Sequence, residues 1–282
     1  MSTPLPPPVT AQPLSADVLS VQSQVVYGYV GNNAALPTFA QLGIRTFALP
    51  TVMFSNTPHY PSKHGGIIPN EWFQGFLSDL EARQALSHLR AVQTGYLGSP
   101  DQARLLAEWL KHVRQQFPAL RLHVDPVIGD EDCGHYVDPA LVCAYKEHLL
   151  PMAQGLTPNN YELAQLSGLP CDTLENTLKA ARSLLSEQTL WVVVTSAAPC
   201  TWTDGNMHLL VVEHHSAEVI THPFVDYAPK GTGDMFSAAL TGYWLNGLSL
   251  PQAAQKAGDL VVDALRYSQS IHSAELQPAP SA

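Results

Sequence analysis

The residues best suited to chemistry lie in the stretch KGTGDMF, where Gly231, Thr232, Gly233 and Asp234 precede an apolar helical pattern. Glycines allow successive backbone amides to point into the same space and allow a ligand to approach the backbone. The positive end of the following helix would add to this potential. The four residues therefore predict an anion hole, which suits the charge that develops on a transferring phosphoryl group.

Asp234 is unexpected in a site that only binds anions, because two negative groups repel each other. It makes chemical sense as a general base that accepts the proton of a hydroxyl group attacking phosphorus. The alternative is that Asp234 only complements the helix N-terminus, as acidic residues in a first turn commonly do. Both interpretations fit these four residues.

Two further segments carry acidic residues. DPVIGD ends a predicted strand with Asp125, and TPNNYE places Asn159 and Glu162 three residues apart at a predicted helix start. Carboxylate and amide oxygens with water shells suit Mg²⁺. The alternative is a capping box, with Asn159 as the N-cap and Glu162 as its partner. Three separate acidic sites on one sheet edge are harder to explain as caps, which favours the metal site.

The elements that must position these residues alternate along the chain. Strands are predicted in ADVLSVQ, IRTFALP, RAVQTGYLG, LRLHVDPVIGD, LWVVVTS, MHLLVVEHH and AEVITHPF. Helices are predicted over residues 34–42, in NEWFQGFLSDLEARQAL and SPDQARLLAEWLKHVRQQF, near 139–149 and 174–185, after GTGD, and in LPQAAQKAGDLVVDALRYSQ. This alternation predicts an α/β fold with a mostly parallel sheet covered by helices on both faces.

Helix caps are expected at Asn32 or Asn33, at Asn70 and at Ser99, with Pro100 in the first helical position. A single domain is expected over residues 16–276, with flexible tails at 1–15 and 277–282. Polar residues follow several strands, and ligands bind at the carboxyl ends of such strands. The long polar loop over residues 55–69 is typical of a lid or clamp.

Composition excludes some classes of partner. The 282 residues carry a formal net charge of −10, so neither nucleic acid nor an anionic membrane is an expected partner. No apolar run is long enough to span a membrane, and the N-terminus lacks a signal-peptide pattern. Four cysteines without a C-x-x-C pair indicate reduced thiols in a cytoplasmic enzyme.

Seven motifs occur in a specific order across the chain: VQSQVVYGYVGN, TVMFSNTPHY, TGYLG, DPVIGD, TPNNYE, VVVTSA and KGTGDMF. Together they resemble the pyridoxal kinases of the ribokinase-like superfamily, especially the bacterial type that acts on pyridoxine, pyridoxal and pyridoxamine. The resemblance implies a three-layer ribokinase-like fold and ATP-dependent phosphorylation of the 5′-hydroxymethyl group of B6 vitamers for pyridoxal phosphate salvage. It also implies Mg²⁺ and a homodimer with one active site per subunit.

The resemblance also implies roles for individual residues. Ser23 would hydrogen-bond the pyridine ring, His59 would contact the substrate, and Asp234 would bind the substrate alcohol and act as its base. Tyr136 and Glu162 would surround Mg²⁺, with Tyr136 acting through water. The expected nucleotide contacts are Asp125, Thr157, Glu162, Thr195, Thr221, His222, Pro223, Phe224, Gly231, Thr232 and Gly233. Since no clear glycine-hinged lid strand is present, the loop over 55–69 is expected to close the site instead.

Other functions remain open from the sequence. A hydroxymethylpyrimidine kinase would share the fold and the base, and dual activity fits the same residues. A non-catalytic pyridoxal phosphate-binding protein is a different class, but storage needs no base, anion hole and metal carboxylates together. A dehydrogenase is disfavoured because the dinucleotide fingerprint is absent.

Overall fold

The computed structural model describes residues 12–227 and 229–280, so most of the expected N-terminal tail lies outside the described residues. Within them, the strands are β1 Val18–Val25, β2 Thr46–Phe54, β3 Gly65–Ile67, β4 Ala91–Thr94, β5 Arg121–Val124, β6 Gly129–Asp130, β7 Gly134–His135, β8 Gly155–Leu156, β9 Trp191–Val194, β10 Asn206–Glu213 and β11 Ala217–Pro223. The helices are α1 Asn32–Gln41, α2 Asn70–Ala82, α3 Pro100–Val113, α4 Pro139–Ala144, α5 Asn160–Ser167, α6 Leu174–Ser183, α7 Thr232–Leu245 and α8 Leu250–Ser270.

Nine strands form one sheet in the order β11-β10-β9-β8-β5-β4-β1-β2-β3. The six strands from β9 to β2 run parallel to one another, whereas β3 and β10 pair antiparallel at the two sides. The carboxyl ends of the six parallel strands therefore lie at one edge. The predicted mostly parallel α/β sheet is confirmed.

The sheet is buried on both faces. Residues of α2, α3, α4, α5 and α6 share one hydrophobic cluster with one side of the sheet. Residues of α1, α7 and α8 cover the other side. Strand β9 shows this division, because Trp191 and Val193 belong to one face and Val192 and Val194 to the other. The three-layer arrangement is confirmed. No helix in the described ranges combines the length and apolarity that crossing a membrane requires.

Helix α7 is buried on almost every side, and polar contacts fix its position along the sheet. Thr157 Oγ1 lies 2.9 Å from Ser237 Oγ, next to the end of β8. One turn further along, Thr241 Oγ1 lies 3.0 Å from His123 Nδ1 on β5. Buried polar groups require partners, so these pairs favour a single register of α7 on the sheet.

The helix caps agree with the sequence in part. Ser99 caps α3 as predicted, since its hydroxyl accepts from the Gln102 amide at 3.3 Å, and Pro100 is the first helical residue. Asn70 was predicted as a cap, but it is the first residue of α2 and Pro69 occupies the cap position without a side-chain hydrogen bond. The prediction is wrong because the Asn70 side chain is used elsewhere, donating to an Asp101 carboxylate oxygen at 3.0 Å.

The predicted cap of α1 is also wrong. Asn32 and Asn33 both lie inside the helix, and Gly31 holds the cap position without a side-chain bond. Asn32 instead accepts from Ser20 Oγ at 2.7 Å, and the Asn33 side chain donates to the Val25 carbonyl at 3.0 Å. The two amides therefore tie α1 to β1, which leaves them unavailable for capping.

The expected loop over residues 55–69 contains strand β3, which the sequence analysis did not predict. Its three residues pair antiparallel with Val52, Met53 and Phe54 of β2. All three are exposed, and two of them are glycines, so neither burial nor strand propensity marked them in the sequence. The rest of the segment remains a loop joined to the sheet at both ends.

His123 should make stability depend on pH. Burial lowers the pKa of His123 to about 3, whereas an unfolded histidine titrates near 6.5. Below pH ~6.5 the unfolded chain therefore binds a proton that the folded chain does not, and stability falls by up to about 1.4 kcal/mol per pH unit. In His123→Gln this contribution is absent, so the stability gap between wild type and variant should narrow on acidification.

Urea unfolding at pH 7 and pH 4.5 measures that gap directly. His88→Gln, at an exposed position, is the control for replacing a histidine with glutamine. An equal gap for His123→Gln at both pH values would contradict a neutral buried imidazole.

Candidate active site

The carboxyl ends of the parallel strands bring several predicted residues together. Val124 and Leu156 are register partners in β5 and β8, so the next residues, Asp125 and Thr157, are neighbours. Both are buried. Thr195 follows β9 on the adjoining strand, and its amide donates to the Pro158 carbonyl at 3.0 Å. The structure therefore places three predicted nucleotide contacts along one edge of the sheet.

The N-terminus of α7 lies at this edge. Gly231 holds the cap position with φ 102°, and a Cβ there would lie 1.9 Å from the Tyr29 carbonyl oxygen, so only glycine fits. A Cβ on Gly233 would meet nothing within 4 Å. The first turn therefore borders open space, and its backbone amides, as at any helix start, have no partner within the helix, which suits an anion site.

Asp234 does not hydrogen-bond as a cap of α7, which has no side-chain cap. Its carboxylate instead faces the backbone amide of Gly31. Burial raises the pKa of Asp234 to about 6, and the Gly31 amide opposes this by stabilising the charged form. A carboxyl group with this pKa is ionised at neutral pH and can still take up a proton, as a general base must.

Gly31 also connects Asp234 to Ser23. A Cβ on Gly31 would lie 2.2 Å from Ser23 Oγ, so the backbone at Gly31 packs directly on this buried side chain. Ser23, the predicted ring contact, and Asp234, the predicted base, thus both adjoin Gly31.

Burial raises the pKa of three acidic groups in this region. Burial raises the pKa of Asp125 well above its usual range, and the charges of Glu162 and Asp234 add to the effect. Burial likewise raises the pKa of Glu162 to about 8, although backbone amides oppose it. Each group would become more acidic beside a positive charge, so the arrangement favours a cation.

Glu162 and Asn159 form the capping box that the sequence offered as the alternative. The Glu162 amide donates to Asn159 Oδ1 at 2.8 Å, and the Asn159 amide donates to Glu162 Oε2 at 2.9 Å. The other oxygen, Oε1, accepts from the Ile128 amide at 2.9 Å. Both carboxylate oxygens are therefore engaged with the backbone, and Glu162 also anchors the segment after Asp125.

Tyr136 follows the short β6–β7 hairpin and is 41% exposed. Burial of its hydroxyl and the charges of Glu162 and Asp130 raise the pKa of the phenol, so it stays neutral. Lys230 Nζ lies 5.8 Å from the centre of its ring. Sequence reasoning did not single out Lys230, because a lysine before a glycine carries no structural signal by itself.

The strip at the end of β11 has two faces. Thr221 and Pro223 are exposed, whereas His222 between them is buried, as strand alternation requires. The His222 ring lies toward Gly258 of α8, so this residue can offer only backbone atoms on the face of Thr221 and Pro223. Phe224 is exposed, and its ring centre lies 5.7 Å from that of Trp202, an aromatic residue that the sequence analysis missed.

His59 lies in the exposed loop between β2 and β3. Its Nδ1 is 2.7 Å from Thr57 Oγ1, and its ring centre is 4.2 Å from that of Tyr60. These contacts orient the imidazole. The predicted role of His59 in substrate contact stays a prediction.

Comparison with known proteins places the chain among vitamin kinases. The family model described as phosphomethylpyrimidine kinase matches residues 26–278. The chain is 54% identical over 271 residues to the pyridoxine/pyridoxal/pyridoxamine kinase of Bordetella bronchiseptica, covering 96% of both chains. The chain belongs to the pyridoxal kinase family. The family predicted from the seven motifs is thus confirmed.

Solved structures of pyridoxal kinases have the same fold. The enzyme of Leishmania donovani in complex with ADP and pyridoxamine matches with a TM-score of 0.82 and 30% identity, over 90% of this chain and 87% of that one. The pyridoxal kinase of Entamoeba histolytica matches with a TM-score of 0.85 at 23% identity, over 94% and 93% of the two chains. The expected ribokinase-like fold of the family is confirmed.

The two bonded oxygens of Glu162 lead to a stability prediction. In Glu162→Gln one acceptor oxygen becomes an NH₂ group, which faces a backbone N–H that it cannot satisfy. A buried donor without a partner costs about 1–3 kcal/mol, so the free energy of unfolding should fall by that amount. Urea unfolding measures it, with Glu147→Gln as the control at an exposed position. Equal stability of Glu162→Gln and wild type would show that the capping box is dispensable.

Proposed function

We propose that this protein phosphorylates the 5′-hydroxymethyl group of the B6 vitamers pyridoxal, pyridoxine and pyridoxamine with ATP, in salvage of pyridoxal 5′-phosphate. The observation that carries the proposal is the placement of Asp234, which lies in the first turn of α7, next to the open space at Gly233, and faces Gly31, beside Ser23. The Bordetella relative is named as a kinase for all three vitamers.

In the proposed reaction the alcohol of the vitamer attacks the γ-phosphorus of ATP. Asp234 accepts the hydroxyl proton as the new oxygen–phosphorus bond forms, and the bond to the bridging oxygen breaks to release ADP. The amides of Gly231, Thr232 and Gly233, at the start of α7, would face the charge that develops on the transferred group. Because these amides are fixed by the helix, they need no rearrangement during the reaction.

The nucleotide would lie along the edge formed by Asp125, Thr157 and Thr195. Thr221, Pro223 and Phe224 would border it from β11, with His222 contributing through its backbone. Trp202 would support Phe224 through the contact between their rings. Ser23 would hydrogen-bond the pyridine ring, and His59 would contact the vitamer from its loop.

A divalent cation fits the donor chemistry of the site. Within the described residues, no group of three or more histidine, cysteine or acidic side chains could cage a metal. Mg²⁺ is commonly bound by one or two carboxylates together with substrate phosphates and waters, so a protein cage is unnecessary. Glu162 would supply charge and Tyr136 a water-mediated contact. When bound, Mg²⁺ neutralises charge on the phosphates.

Hydroxymethylpyrimidine is a second candidate substrate. The matching family model is described as a phosphomethylpyrimidine kinase, and this pyrimidine also carries a hydroxymethyl group. The same base and anion hole would serve both alcohols. A non-catalytic pyridoxal phosphate-binding protein is not favoured, because the curated relatives are kinases.

We propose a homodimer that functions in the cytoplasm, where ATP is supplied. Four large apolar side chains are exposed in adjoining elements: Met53, Ile67, Trp72 and Phe76. They belong to β2, β3 and α2, which are consecutive in the chain and lie at the β3 end of the sheet. Exposed apolar patches of this kind mark contact surfaces between proteins.

Replacing Asp234 tests the proposed chemistry. Asp234→Asn keeps the shape of the side chain but removes the proton acceptor, so kcat should fall about 10²–10⁴-fold. ATP and pyridoxal should still bind, and the melting temperature should hold. In wild type kcat/KM should decline as the pH falls through about 6, because the protonated carboxyl of the free enzyme cannot act as a base.

Asp263→Asn serves as the control, since Asp263 is exposed on α8. Turnover is measured separately with pyridoxal, pyridoxine and hydroxymethylpyrimidine, which also ranks the two substrate classes. A folded Asp234→Asn protein with near-wild-type kcat would falsify the role of this residue as the base. It would leave the first turn of α7 as an anion site only.

The proposed dimer is tested by Trp72→Glu. Trp72 is 58% exposed in the described chain, so a buried position in the dimer would make the new charge unfavourable. Sedimentation velocity should show a dimer for wild type and a monomer for the variant at the same concentration. Leu190→Glu is the matched control, because Leu190 is an exposed apolar residue directly before β9. A dimeric Trp72→Glu protein would remove this surface from the interface.

A further inference from the structure

The segment after α8 folds back and is fixed to the body of the protein. Leu276 is fully buried in the hydrophobic cluster that includes α7 and α8. The next residue, Gln277, donates its amide to Ser268 Oγ of α8 at 2.7 Å. Glu275, directly before Leu276, is therefore held by rigid structure on its C-terminal side.

Glu275 has an unusual environment for an acidic residue. It is only 4% exposed, although no basic side chain is paired with it within the described residues. Its Oε1 accepts a hydrogen bond from the Tyr60 hydroxyl. Its Oε2 has no partner and lies where a Cβ on Gly28 would come within 3.1 Å. Because burial of a carboxylate is costly without compensation, this contact indicates a specific role.

Tyr60 connects Glu275 to the loop between β2 and β3, which also carries His59. Its ring lies beside that of the adjacent His59, and the edge of Tyr27 packs against it with ring centres 5.7 Å apart. Tyr27 belongs to the segment between Ser23 and Gly31. The phenol therefore contacts both segments that carry predicted vitamer contacts, and Glu275 holds it from a third.

The loop itself has few other attachments to distant parts of the chain. Its side-chain hydrogen bonds are mostly internal, such as those of Asn56 to the Thr57 and Ser62 carbonyls. Ser55 and His64 bond to each other across its base. The bond between Tyr60 and Glu275 instead spans 215 positions in sequence. Loops with few such contacts open at low free-energy cost, so one bond has a large effect on their order.

We propose that Glu275 is a positioning residue, which holds Tyr60 and thereby fixes the loop that presents His59 to the vitamer. The role rests on the proposed vitamin kinase activity. Glu275 acts on the site through Tyr60. The hydrogen bond to the carboxylate raises the pKa of the Tyr60 phenol, so it stays protonated and continues to donate at neutral pH.

This role predicts a separation between the two substrates. Loosening the loop should weaken the binding of the vitamer, which the loop is proposed to contact. ATP binding should be unchanged, because the proposed nucleotide contacts Asp125, Thr157 and Thr195 lie elsewhere along the sheet edge. Loss of the hydrogen bond between Tyr60 and Glu275 should shift the equilibrium between the ordered and the open loop roughly tenfold. The KM for pyridoxal should therefore rise about tenfold in Glu275→Ala. Tyr60→Phe should have a similar effect, and Glu275→Gln should retain most of the wild-type behaviour because it keeps an acceptor oxygen.

Limited proteolysis gives a readout that needs no activity. Lys63 is exposed in the same loop, so trypsin cleavage after Lys63 reports how often the loop opens. Cleavage should be roughly tenfold faster in Glu275→Ala and Tyr60→Phe than in wild type, and close to wild type in Glu275→Gln. The double variant should be no faster than either single variant, because both remove the same bond. Glu147→Ala is the control at an exposed carboxylate.

The two readouts separate failure of this proposal from failure of the proposed function. If wild type does not turn over any vitamer, the proposed function fails, and the cleavage rates still test whether Glu275 orders the loop. Wild-type cleavage in both Glu275→Ala and Tyr60→Phe would overturn the positioning role. An equal rise of KM for pyridoxal and ATP would also overturn it, since a general loss of structure would explain both. If Glu275→Ala does not fold, Tyr60→Phe gives the same comparison with wild type, and Glu275→Gln remains the conservative control.

Discussion

Desolvation of three neighbouring carboxyl groups is the constraint around which the candidate site is built. Burial raises the pKa of Asp125, Glu162 and Asp234, the charges of the other two raise the pKa of Asp125 further, and no basic side chain is paired with them in the described residues. Backbone amides supply the compensation, through the Glu162 capping box and through Gly31. A cation bound beside these groups would lower each pKa and favour the charged carboxylates, since no basic side chain does so in its place.

The position of α7 follows from the same requirement. Its first turn must bring Asp234 close to the other carboxyls while directing amides into open space. Thr157 and His123 fix the helix on the sheet through Ser237 and Thr241. Helix register, which is set by ordinary buried hydrogen bonds, thereby determines the geometry of the site. Helix α7 thus contributes both to the packing of the sheet and to the candidate site.

The sequence predicted the parts that depend on local pattern. The strand alternation, the Ser99 cap and the helix after GTGD could be read from periodicity and residue type. The roles of Asn32, Asn70 and Glu275 could not, because each depends on a partner that only the folded chain brings near. Asn32 is chemically suited to a cap, but its bond to Ser20 holds it in the helix instead. The sequence also did not show that the His222 side chain is buried, because which residues of β11 face inward depends on how the strand pairs in the sheet.

Two helix starts in the site are interlocked through their glycines. A side chain at Gly231 would strike the Tyr29 carbonyl, and one at Gly31 would strike Ser23. Enlarging either position would separate α1 from α7 and move Asp234, the proposed base, away from Ser23, the proposed vitamer contact. During divergence, relatives would therefore keep this junction and change substrate through the side chains of surrounding loops.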